Sequence, residues 1–393
     1  MEVEERTQVA IVGAGPAGLL LGRLLEQRGI ENVILEARSR DYCEARIRAG
    51  VLEPGSRRTL IQAGVGERME QEGILHSGIH LRFYGEDHHI PLAELAGSDP
   101  LTIYGQTEVV KDLIAARLES GAPLLFECGE VSVHGLTTPS PMVRYGQDGE
   151  ERQLRCSVIA GCDGFHGVTR QTIPAGVQQT WEREYPFAWL GIMAEIFTPE
   201  DELIYALSER GFALRSLRSE QLSRLYIQVD PGEDIADWPD DRIWEELQLR
   251  LAAPGWTLPE GPVVEKGITP MRSFVAAPMR HGSLFLAGDA AHIVPPTGAK
   301  GLNLAIHDVT VLAQALERFF VAGDQSGLDA YSETCLRRVW RAQHFSWWMT
   351  QMLHRDPSDD EYGRQLQISQ LRYVATSEAA RTSLAENYVG LDL

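Results

Sequence analysis

Basic side chains and paired cysteines are both scarce in this sequence. Lysine and arginine number 36 against 56 aspartates and glutamates, which gives a net charge of −20. This balance argues against binding to nucleic acid or to anionic membrane surfaces. The five cysteines are odd in number and contain no C-x-x-C spacing. We therefore expect neither a disulfide framework nor a zinc site, and no other metal is indicated.

Long apolar runs are also missing. No run reaches the length that spans a bilayer, and residues 1–6 lack the basic and apolar regions of a secretory signal. We therefore predict a cytoplasmic protein. The remaining composition, with 44% hydrophobic and 23% charged residues, is ordinary for a soluble globular protein. A length of 393 residues predicts two or three domains.

A glycine-rich turn near the N-terminus joins a predicted strand at 8–12 to a predicted helix at 19–28. A second predicted strand, 33–35, ends at Glu36, which follows the last glycine of the turn by 18 residues (36 − 18). A βαβ unit with a G-x-G-x-x-G turn and an acid at this distance predicts a dinucleotide site. The pattern does not choose between FAD and NAD.

Each glycine of this turn has an expected role. Gly13 permits the tight turn, Gly15 lets a pyrophosphate approach, and Gly18 lets the helix pack closely on the strand. Glu36 is placed to accept a hydrogen bond from a ribose hydroxyl.

The stretch 284–303 predicts a buried strand, a Gly288–Asp289 corner, a rigid Pro295–Pro296 step and a helix that begins near Gly301. Asp289 offers an acceptor-only carboxylate, and free N–H groups at a helix start favour anions. The alternative is an ordinary strand–loop–helix corner. A second strand-to-helix turn, with Asp163–Gly164 at its centre, has the same character.

Two predicted strands, 212–218 and 223–229, form a hairpin with an unusually polar face. Alternation of side chains along a strand places these residues on one side: Ser216, Arg218, Arg224, Tyr226 and Gln228. The face is either solvated or functional. The arginine-rich segment 38–51 leaves a similar choice between a solvated loop and a phosphate contact.

Six runs of sequence together resemble the class A flavoprotein aromatic hydroxylases over nearly the whole chain. They are RIRAGVLE at 46–53, YGQTEV at 104–109, GCDGFHG at 161–167, GDAAHIVPPTGAKGLN at 288–303, FSWWMT at 345–350 and AENYVGL at 385–391. The resemblance implies an α/β fold: a Rossmann-like FAD-binding domain, an inserted antiparallel-sheet substrate domain and a C-terminal helical region. The corresponding ranges are 1–179, 180–272 and 273–393.

The resemblance also implies roles for particular residues. FAD would be held by Gly13, Gly15, Gly18, Glu36, Arg46, Arg48, Gln106, Asp163, Arg224, Asp289, Leu302 and Asn303. A substrate carboxylate would meet Ser216, Arg218 and Tyr226, and a substrate phenol would meet Tyr205 and Tyr388. His76 would end a proton relay at solvent, and the Pro296 carbonyl would lie near the substrate hydroxyl.

The implied activity is hydroxylation of 4-hydroxybenzoate to 3,4-dihydroxybenzoate with NAD(P)H and O2, through a flavin C4a-hydroperoxide. The alternatives are a related hydroxylase of another phenolic acid, such as 3-hydroxybenzoate, and a flavin dehydrogenase or oxidase. Residues implied at the nicotinamide nucleotide are Arg38, Tyr42, Arg46, His166 and Arg272. NADPH-using relatives carry Arg-Gln where this chain has Ala37–Arg38, so we expect NADPH and leave NADH open. The family also implies a homodimer.

Overall fold

The computed structural model describes residues 4–45, 50–197, 202–219 and 221–390. Its strands are β1 Glu4–Arg6, β2 Val9–Val12, β3 Asn32–Leu35, β4 Val51–Leu52, β5 Ile74–His76, β6 Ile79–Phe83, β7 Glu86–Ile90, β8 Leu101–Ile103, β9 Leu124–Leu125, β10 Gly129–His134, β11 Met142–Gln147, β12 Glu150–Arg155, β13 Val158–Gly161, β14 Gln179–Ala194, β15 Leu203–Ser208, β16 Gly211–Ser219, β17 Leu222–Val229, β18 Val263–Ala277, β19 Arg280–His281, β20 Leu284–Leu286 and β21 His292–Ile293.

The helices are α1 Pro16–Glu26, α2 Arg40–Ala45, α3 Pro54–Gln62, α4 Glu67–Glu72, α5 Leu92–Ala96, α6 Gln106–Glu119, α7 Val168–Gln171, α8 Asp240–Arg250, α9 Gly301–Ala322, α10 Ser326–Leu353, α11 Glu361–Thr376 and α12 Glu378–Val389. Short 3-10 helices cover Ile235–Asp237, Gly288–Ala290 and Pro296–Gly298.

The first large sheet has the strand order β19-β20-β13-β2-β3-β9. Strands β20, β13, β2, β3 and β9 pair in parallel along this order, and the edge strand β19 runs antiparallel to β20. The four residues of β2 are all buried, as are those of β3 and β13. Such strands need cover on both faces, and they read as unbroken apolar runs for that reason. The predicted Rossmann-like fold is confirmed, and three glycine-rich turns leave this sheet at the carboxyl ends of β2, β13 and β20.

The second large sheet has eight strands in the order β21-β18-β14-β17-β16-β15-β6-β7. All its pairs are antiparallel except β15 with β6, which is parallel. Strands β6 and β7 come from residues 79–90, inside the range expected for the first domain. The substrate sheet is therefore assembled from separated segments. The expected contiguous domain ranges 1–179, 180–272 and 273–393 leave β6, β7 and β21 outside the substrate domain. These ranges stay a prediction.

The two faces of this sheet pack on different layers. In β17 the odd-numbered residues Leu225, Ile227 and Val229 are buried in one apolar cluster that includes Trp244 and Leu247 of α8. The opposite face carries the even-numbered residues, and its core joins the C-terminal helices α10, α11 and α12. The polar hairpin face is thus turned toward the helical region and is not a wholly solvated surface.

Helix α10 runs from Ser326 to Leu353 and carries several aromatic side chains. Its Phe345 is buried, whereas Trp340 is 44% exposed. No helix in the described part of the chain is both long and apolar enough to cross a membrane.

Candidate active site

The turn Gly13–Gly18 has the geometry that its three glycines predict. Gly13 adopts a φ of +105°, and a Cβ there would lie 2.4 Å from the Cys162 carbonyl oxygen. A Cβ on Gly18 would lie 2.0 Å from the Gly13 carbonyl oxygen, so only glycine lets α1 start this close to β2. At Gly15 no atom lies within 4 Å of an added Cβ. The open side of this turn, at the N-terminus of α1, suits a pyrophosphate.

Glu36 follows β3 and already holds two backbone groups. Its Oε2 accepts from the amide of Ala14 at 2.7 Å, and its Oε1 accepts from the amide of Arg38 at 2.8 Å. These bonds fix the carboxylate beside the Gly13 turn. Each carboxylate oxygen has a further lone pair, so a ribose hydroxyl can still donate to Glu36.

The turn after β13 uses its aspartate locally. Asp163 accepts from the Thr169 amide at 2.9 Å and from the Thr169 hydroxyl at 2.5 Å. Burial outweighs these bonds and raises the pKa of the Asp163 carboxyl. The structure therefore accounts for Asp163 as the group that fixes the start of α7, and its contact with a cofactor stays a prediction.

A buried pair, Asp308 and His292, holds the Gly288–Asp289 corner in place, and nothing in the sequence pattern had indicated it. Asp308 Oδ2 accepts from the Gly288 amide at 3.0 Å and lies 2.7 Å from Nε2 of His292. A Cβ on Gly288 would lie 3.3 Å from Ala305 of α9 and 3.5 Å from Ala17 of α1. Asp289 itself is exposed, and this suits a carboxylate that meets ligand hydroxyls.

Helix α9 begins beside the same corner with its first amides available. No side chain caps it, and nothing lies within 4 Å of a Cβ added at Gly301. The side-chain amide of Asn303 already has protein partners. Its Nδ2 donates to the carbonyls of Val51 and Ala299, and its Oδ1 accepts from the backbone amide of Glu53. Asn303 thus fastens α9 to β4, while the backbone at Gly301–Leu302 is the part able to meet a flavin.

These turns fit FAD on the observations above: an open pyrophosphate side at Gly15, an exposed carboxylate at Asp289 and an open helix start at Gly301. Gln106 is the first residue of α6. Its backbone nitrogen would lie 2.7 Å from a Cβ added at Gly50, so the chain at Gly50 passes close to the start of α6. Arg46 and Arg48 lie outside the described residues.

Two tyrosines from distant parts of the chain meet in the core. The hydroxyl oxygens of Tyr205 and Tyr388 are 2.5 Å apart, and the Tyr205 hydroxyl donates to the Thr297 carbonyl at 3.1 Å. The Thr297 carbonyl can only accept, so in the arrangement in which Tyr205 donates to it, Tyr388 donates within the pair. Burial raises the pKa of both phenols; the contact between them adds to this rise for Tyr205 and opposes it for Tyr388.

The predicted carboxylate-binding residues share one face of the hairpin. Ser216 pairs with Arg224 and Leu214 with Tyr226 across β16 and β17. Arg218 donates through Nη1 to the Ser216 hydroxyl at 3.0 Å and lies in hydrogen-bonding contact with Tyr226. Its Nε is buried without a partner, and it forms no ion pair with a carboxylate of the described residues. A buried guanidinium in this state suits an anionic ligand.

Burial lowers the pKa of the Arg218 guanidinium, and Arg224 adds to this effect. An arginine nevertheless keeps its charge in proteins. Arg224, which was expected at the cofactor, lies 3.7 Å from the Glu265 carboxylate and over the ring of Tyr226.

The roles expected for His76 and Pro296 stay predictions. His76 is fully buried at the end of β5. Pairing of β5 with β8 draws it inward, opposite Leu101. The Pro296 carbonyl accepts from the Ala299 amide at 3.0 Å, and the Tyr205 hydroxyl meets the carbonyl of the next residue, Thr297.

The residues expected at the nicotinamide nucleotide form two separate pairs. Arg38 lies over the half-exposed ring of Tyr42 at 5.3 Å. Phe165 brings the other two together, because it stacks edge-on against His166 and lies 5.0 Å from the Arg272 guanidinium.

Two supporting groups carried no sequence signal. Lys300 Nζ donates at 2.6 Å both to Glu53 and to the Tyr388 carbonyl, so it ties α12 to the start of α9. Behind Tyr226, Trp189 donates to His354 Nε2 at 2.6 Å. Burial lowers the pKa of His354 to about 3, so this imidazole is neutral and acts as an acceptor. Partners so far apart in sequence leave no local pattern.

Comparison with known proteins matches residues 6–346 to the FAD binding domain family. The p-hydroxybenzoate hydroxylase of Acinetobacter baylyi is 50% identical over 387 residues, which cover 98% of this chain and 96% of that protein. A probable NADH-specific resorcinol 4-hydroxylase of Rhodococcus jostii is 26% identical, over 82% of this chain and 61% of that protein.

Among solved structures, a p-nitrophenol 4-monooxygenase from Pseudomonas putida superposes with a TM-score of 0.81 at 19% identity and covers 100% of both chains. At this identity the superposition supports the fold. The family match and the 50% identical relative identify the chain as a member of the FAD binding domain family, among the flavoprotein aromatic hydroxylases of the p-hydroxybenzoate hydroxylase kind.

Proposed function

We propose that this enzyme hydroxylates 4-hydroxybenzoate to 3,4-dihydroxybenzoate with FAD, NAD(P)H and O2. The proposal rests on one face of the eight-stranded sheet, which carries the Arg218 guanidinium at one end and the Tyr205–Tyr388 pair at the other. Tyr205, Leu214 and Tyr226 lie side by side across three strands, and Arg218 lies farther along the same face. A ring with a carboxylate and a phenol in para positions has groups for both ends.

The chain's own residues have separate tasks in this proposal. Arg218, with Ser216 and Tyr226, holds the substrate carboxylate through charge-assisted hydrogen bonds. Tyr205 accepts the substrate phenol proton and passes its own to Tyr388, which is general-base catalysis through a relay. FAD, when bound, supplies the activated oxygen. Removal of the phenol proton raises the electron density of the ring at the carbon to be hydroxylated.

The present hydroxyl directions add a requirement to this scheme. When Tyr205 donates to the Thr297 carbonyl, its oxygen is left to accept from Tyr388. A substrate phenol that donates to Tyr205 requires both hydroxyls to turn. His76 is the further acceptor that we propose for the relay. Because it is buried, the proton needs one more step to reach solvent.

The test is product analysis with purified enzyme, NADPH and 4-hydroxybenzoate under air. We expect O2 consumption matched by 3,4-dihydroxybenzoate. O2 consumption with peroxide and no dihydroxy acid would replace the hydroxylase activity with an oxidase activity. The same assay with 3-hydroxybenzoate tests the related substrate, whose carboxylate and hydroxyl stand in meta positions.

For the coenzyme, we propose NADPH. Arg38 is exposed next to Tyr42 and carries the positive charge that a 2′-phosphate needs, one position from where relatives carry theirs. Steady-state comparison of NADPH with NADH tests this proposal. Arg38→Gln should lower kcat/KM for NADPH and leave that for NADH unchanged.

We further propose a cytoplasmic homodimer. Trp181 and Trp340 meet edge to face at 5.3 Å and are 39% and 44% exposed, an apolar surface of the kind that subunits cover. Cys128, Cys156, Cys162 and Cys335 are buried as thiols and form no disulfide, as suits a reducing compartment. Sedimentation velocity over a range of concentrations tests the dimer, and Trp340→Glu should shift it toward monomer.

A further inference from the structure

Three side chains converge near the β6–β7 edge of the eight-stranded sheet, where His80 pairs with Ile204, on the face opposite to that of Tyr205. His80 of β6 and His89 of β7 are paired directly across the strands. Glu202 precedes β15, the other neighbour of β6. Nitrogen or oxygen atoms of these three side chains lie within 4.8 Å of one another.

We propose that His80, His89 and Glu202 form a binding site for a divalent transition metal ion such as Zn²⁺. Two imidazoles and a carboxylate are a ligand set that zinc accepts, with water in a fourth position. Zinc–ligand bonds of about 2.0–2.2 Å place tetrahedral ligand atoms roughly 3.3 Å apart. The present spacing therefore requires only a modest closing of side chains.

The groups around the site hold two of the ligands in a suitable state. Nδ1 of His80 lies 3.0 Å from Asp87 Oδ1. A proton on that nitrogen leaves the lone pair of Nε2 to the metal, and the carboxylate behind a histidine ligand is a frequent feature of zinc sites. Glu202 is held as well, because its Oε1 accepts from the Gly78 amide at 2.6 Å while Oε2 remains toward His89.

Access and charge also favour a cation here. The side chains are 28% exposed for His80, 46% for His89 and 20% for Glu202, so an ion can reach them from solvent. Nε2 of His89 now meets Glu202 Oε2 at 2.7 Å, and a metal ion would replace this hydrogen bond. Two carboxylates, Glu202 and Asp87, balance the added charge, although Arg82 neutralises part of Asp87 at 3.0 Å.

The sequence gives no hint of this site, because its ligands are not arranged at a recognisable zinc spacing. His80 and His89 become neighbours only through the β6–β7 hairpin, and Glu202 is 113 residues from His89. The ion would fasten three strands together at a point where β6 is joined to β15 in parallel.

The experiment is a calorimetric titration of the chelator-treated, FAD-loaded enzyme, without an affinity tag, with ZnCl₂. We expect saturable binding of about one ion per chain, and at least a roughly tenfold loss of affinity in His80→Gln and in His89→Gln. His88→Gln is the matched control. It lies on the same hairpin, but its ring stacks on Phe83 and it bonds to Glu86, so it should bind zinc as the wild type does.

Absence of saturable binding to the wild type would overturn the proposal. So would equal affinity in His89→Gln and the wild type, which would place the ion elsewhere, for instance at a cysteine. Thermal melting provides a second measurement. Zinc should raise the melting temperature of the wild type and of His88→Gln but not that of His89→Gln.

Discussion

The buried phenol pair is held neutral by its surroundings. Tyr205 and Tyr388 are 1% exposed, and burial raises the pKa of each above the ordinary value of 10. Neither phenol ionises by itself near neutral pH. The pair can carry a proton away from a substrate only while another group accepts one, so its chemistry depends on the substrate and on the far end of the relay.

From this we predict the effect of Tyr388→Phe. The variant loses the second hydroxyl of the relay but keeps the ring that packs on Phe345 and Lys300. The rate of hydroxylation should fall about 10²-fold, while substrate binding changes little. Stopped-flow measurement of product formation at several pH values tests this. An unchanged rate with a normal pH profile would remove Tyr388 from the relay.

Arg218 should act mainly on affinity. We expect Arg218→Ala to weaken 4-hydroxybenzoate binding by about 2–5 kcal/mol, because the substrate carboxylate would then be buried without a cation. Arg218→Lys should recover only part of this, since lysine lacks the planar fork. Binding of phenol, which has no carboxylate, is the control and should be similar in all three proteins. Loss of phenol binding as well would indicate a general collapse of the pocket.

For single residues, the sequence predicted which residues matter to the local backbone better than it predicted which groups they contact. Gly13 and Gly18 follow from backbone geometry alone, and the structure gives them the expected close approaches. The alternation of Ser216 and Arg224 on one face is also local. In contrast, the burial of His76 depends on how neighbouring segments pack, which no spacing in the sequence records. The bond from Thr169 to Asp163 is local, six positions apart, but the motif does not show that the aspartate is used within its own turn.

At the scale of elements, two glycines of the turn between β2 and α1 have different roles: Gly15 leaves room for a ligand, and Gly18 lets α1 pack close to β2. Gly15→Ala adds a Cβ with no protein atom within 4 Å, whereas a Cβ at Gly18 would meet a carbonyl oxygen at 2.0 Å. We predict that Gly15→Ala leaves the fold stable but weakens FAD binding. Gly18→Ala should lower the free energy of unfolding by about 1–3 kcal/mol through overpacking.

Urea denaturation and fluorescence titration with FAD, performed on both variants, measure the two effects. If Gly15→Ala destabilises the apoprotein as much as Gly18→Ala does, Gly15 has a packing role and not a ligand role.

The corner between β20 and α9 depends on the Asp308–His292 pair. Replacing the Asp308 carboxylate by an amide keeps one acceptor oxygen for the Gly288 amide and His292, but it removes the negative charge that faces the buried imidazole. We predict that Asp308→Asn lowers the free energy of unfolding by about 3–5 kcal/mol, measured by urea denaturation. A change below about 1 kcal/mol would mean that the pair contributes little.

The same pair predicts a direction of pH dependence. Burial lowers the pKa of His292, but the Asp308 carboxylate outweighs burial, and the net pKa lies above the ordinary 6.5. A raised pKa in the folded state means that the stabilisation is complete below pH 6.5 and is lost as pH rises through the folded value. Wild-type stability should therefore decline toward alkaline pH more steeply than that of Asp308→Asn. Equal slopes in denaturation measured across this range would contradict the assignment.

Elements with a strong local pattern were predictable. Strand β2, helix α1 and the hairpin β16–β17 lie within a few residues of their expected bounds. The expectation failed to anticipate β6 and β7 as part of the substrate sheet, because their parallel partner β15 begins more than a hundred residues later. Apolar alternation shows that a strand has a buried face, but not which sheet supplies its neighbour.

On the scale of the whole molecule, the proposed site joins all three parts of the expected fold. The Gly13 turn comes from the first sheet, Arg218 from the second and Tyr388 from the last helix, α12. The Tyr205–Tyr388 contact spans 183 positions, and the Lys300–Glu53 bond spans 247. The reacting groups therefore depend on long-range packing for their position.

The parallel pairing of β6 with β15 has a consequence for how the chain reaches this state. The amide of Gly78 donates to the carboxylate of Glu202, 124 positions away. During folding, the β6–β7 hairpin therefore has an unpaired edge until the residues between 90 and 202 have folded. Contacts of such sequence separation form slowly, and unpaired edges attract other chains in the meantime. We therefore expect refolding yield to fall with protein concentration, with the hairpin at 79–90 as the region through which trapped chains associate.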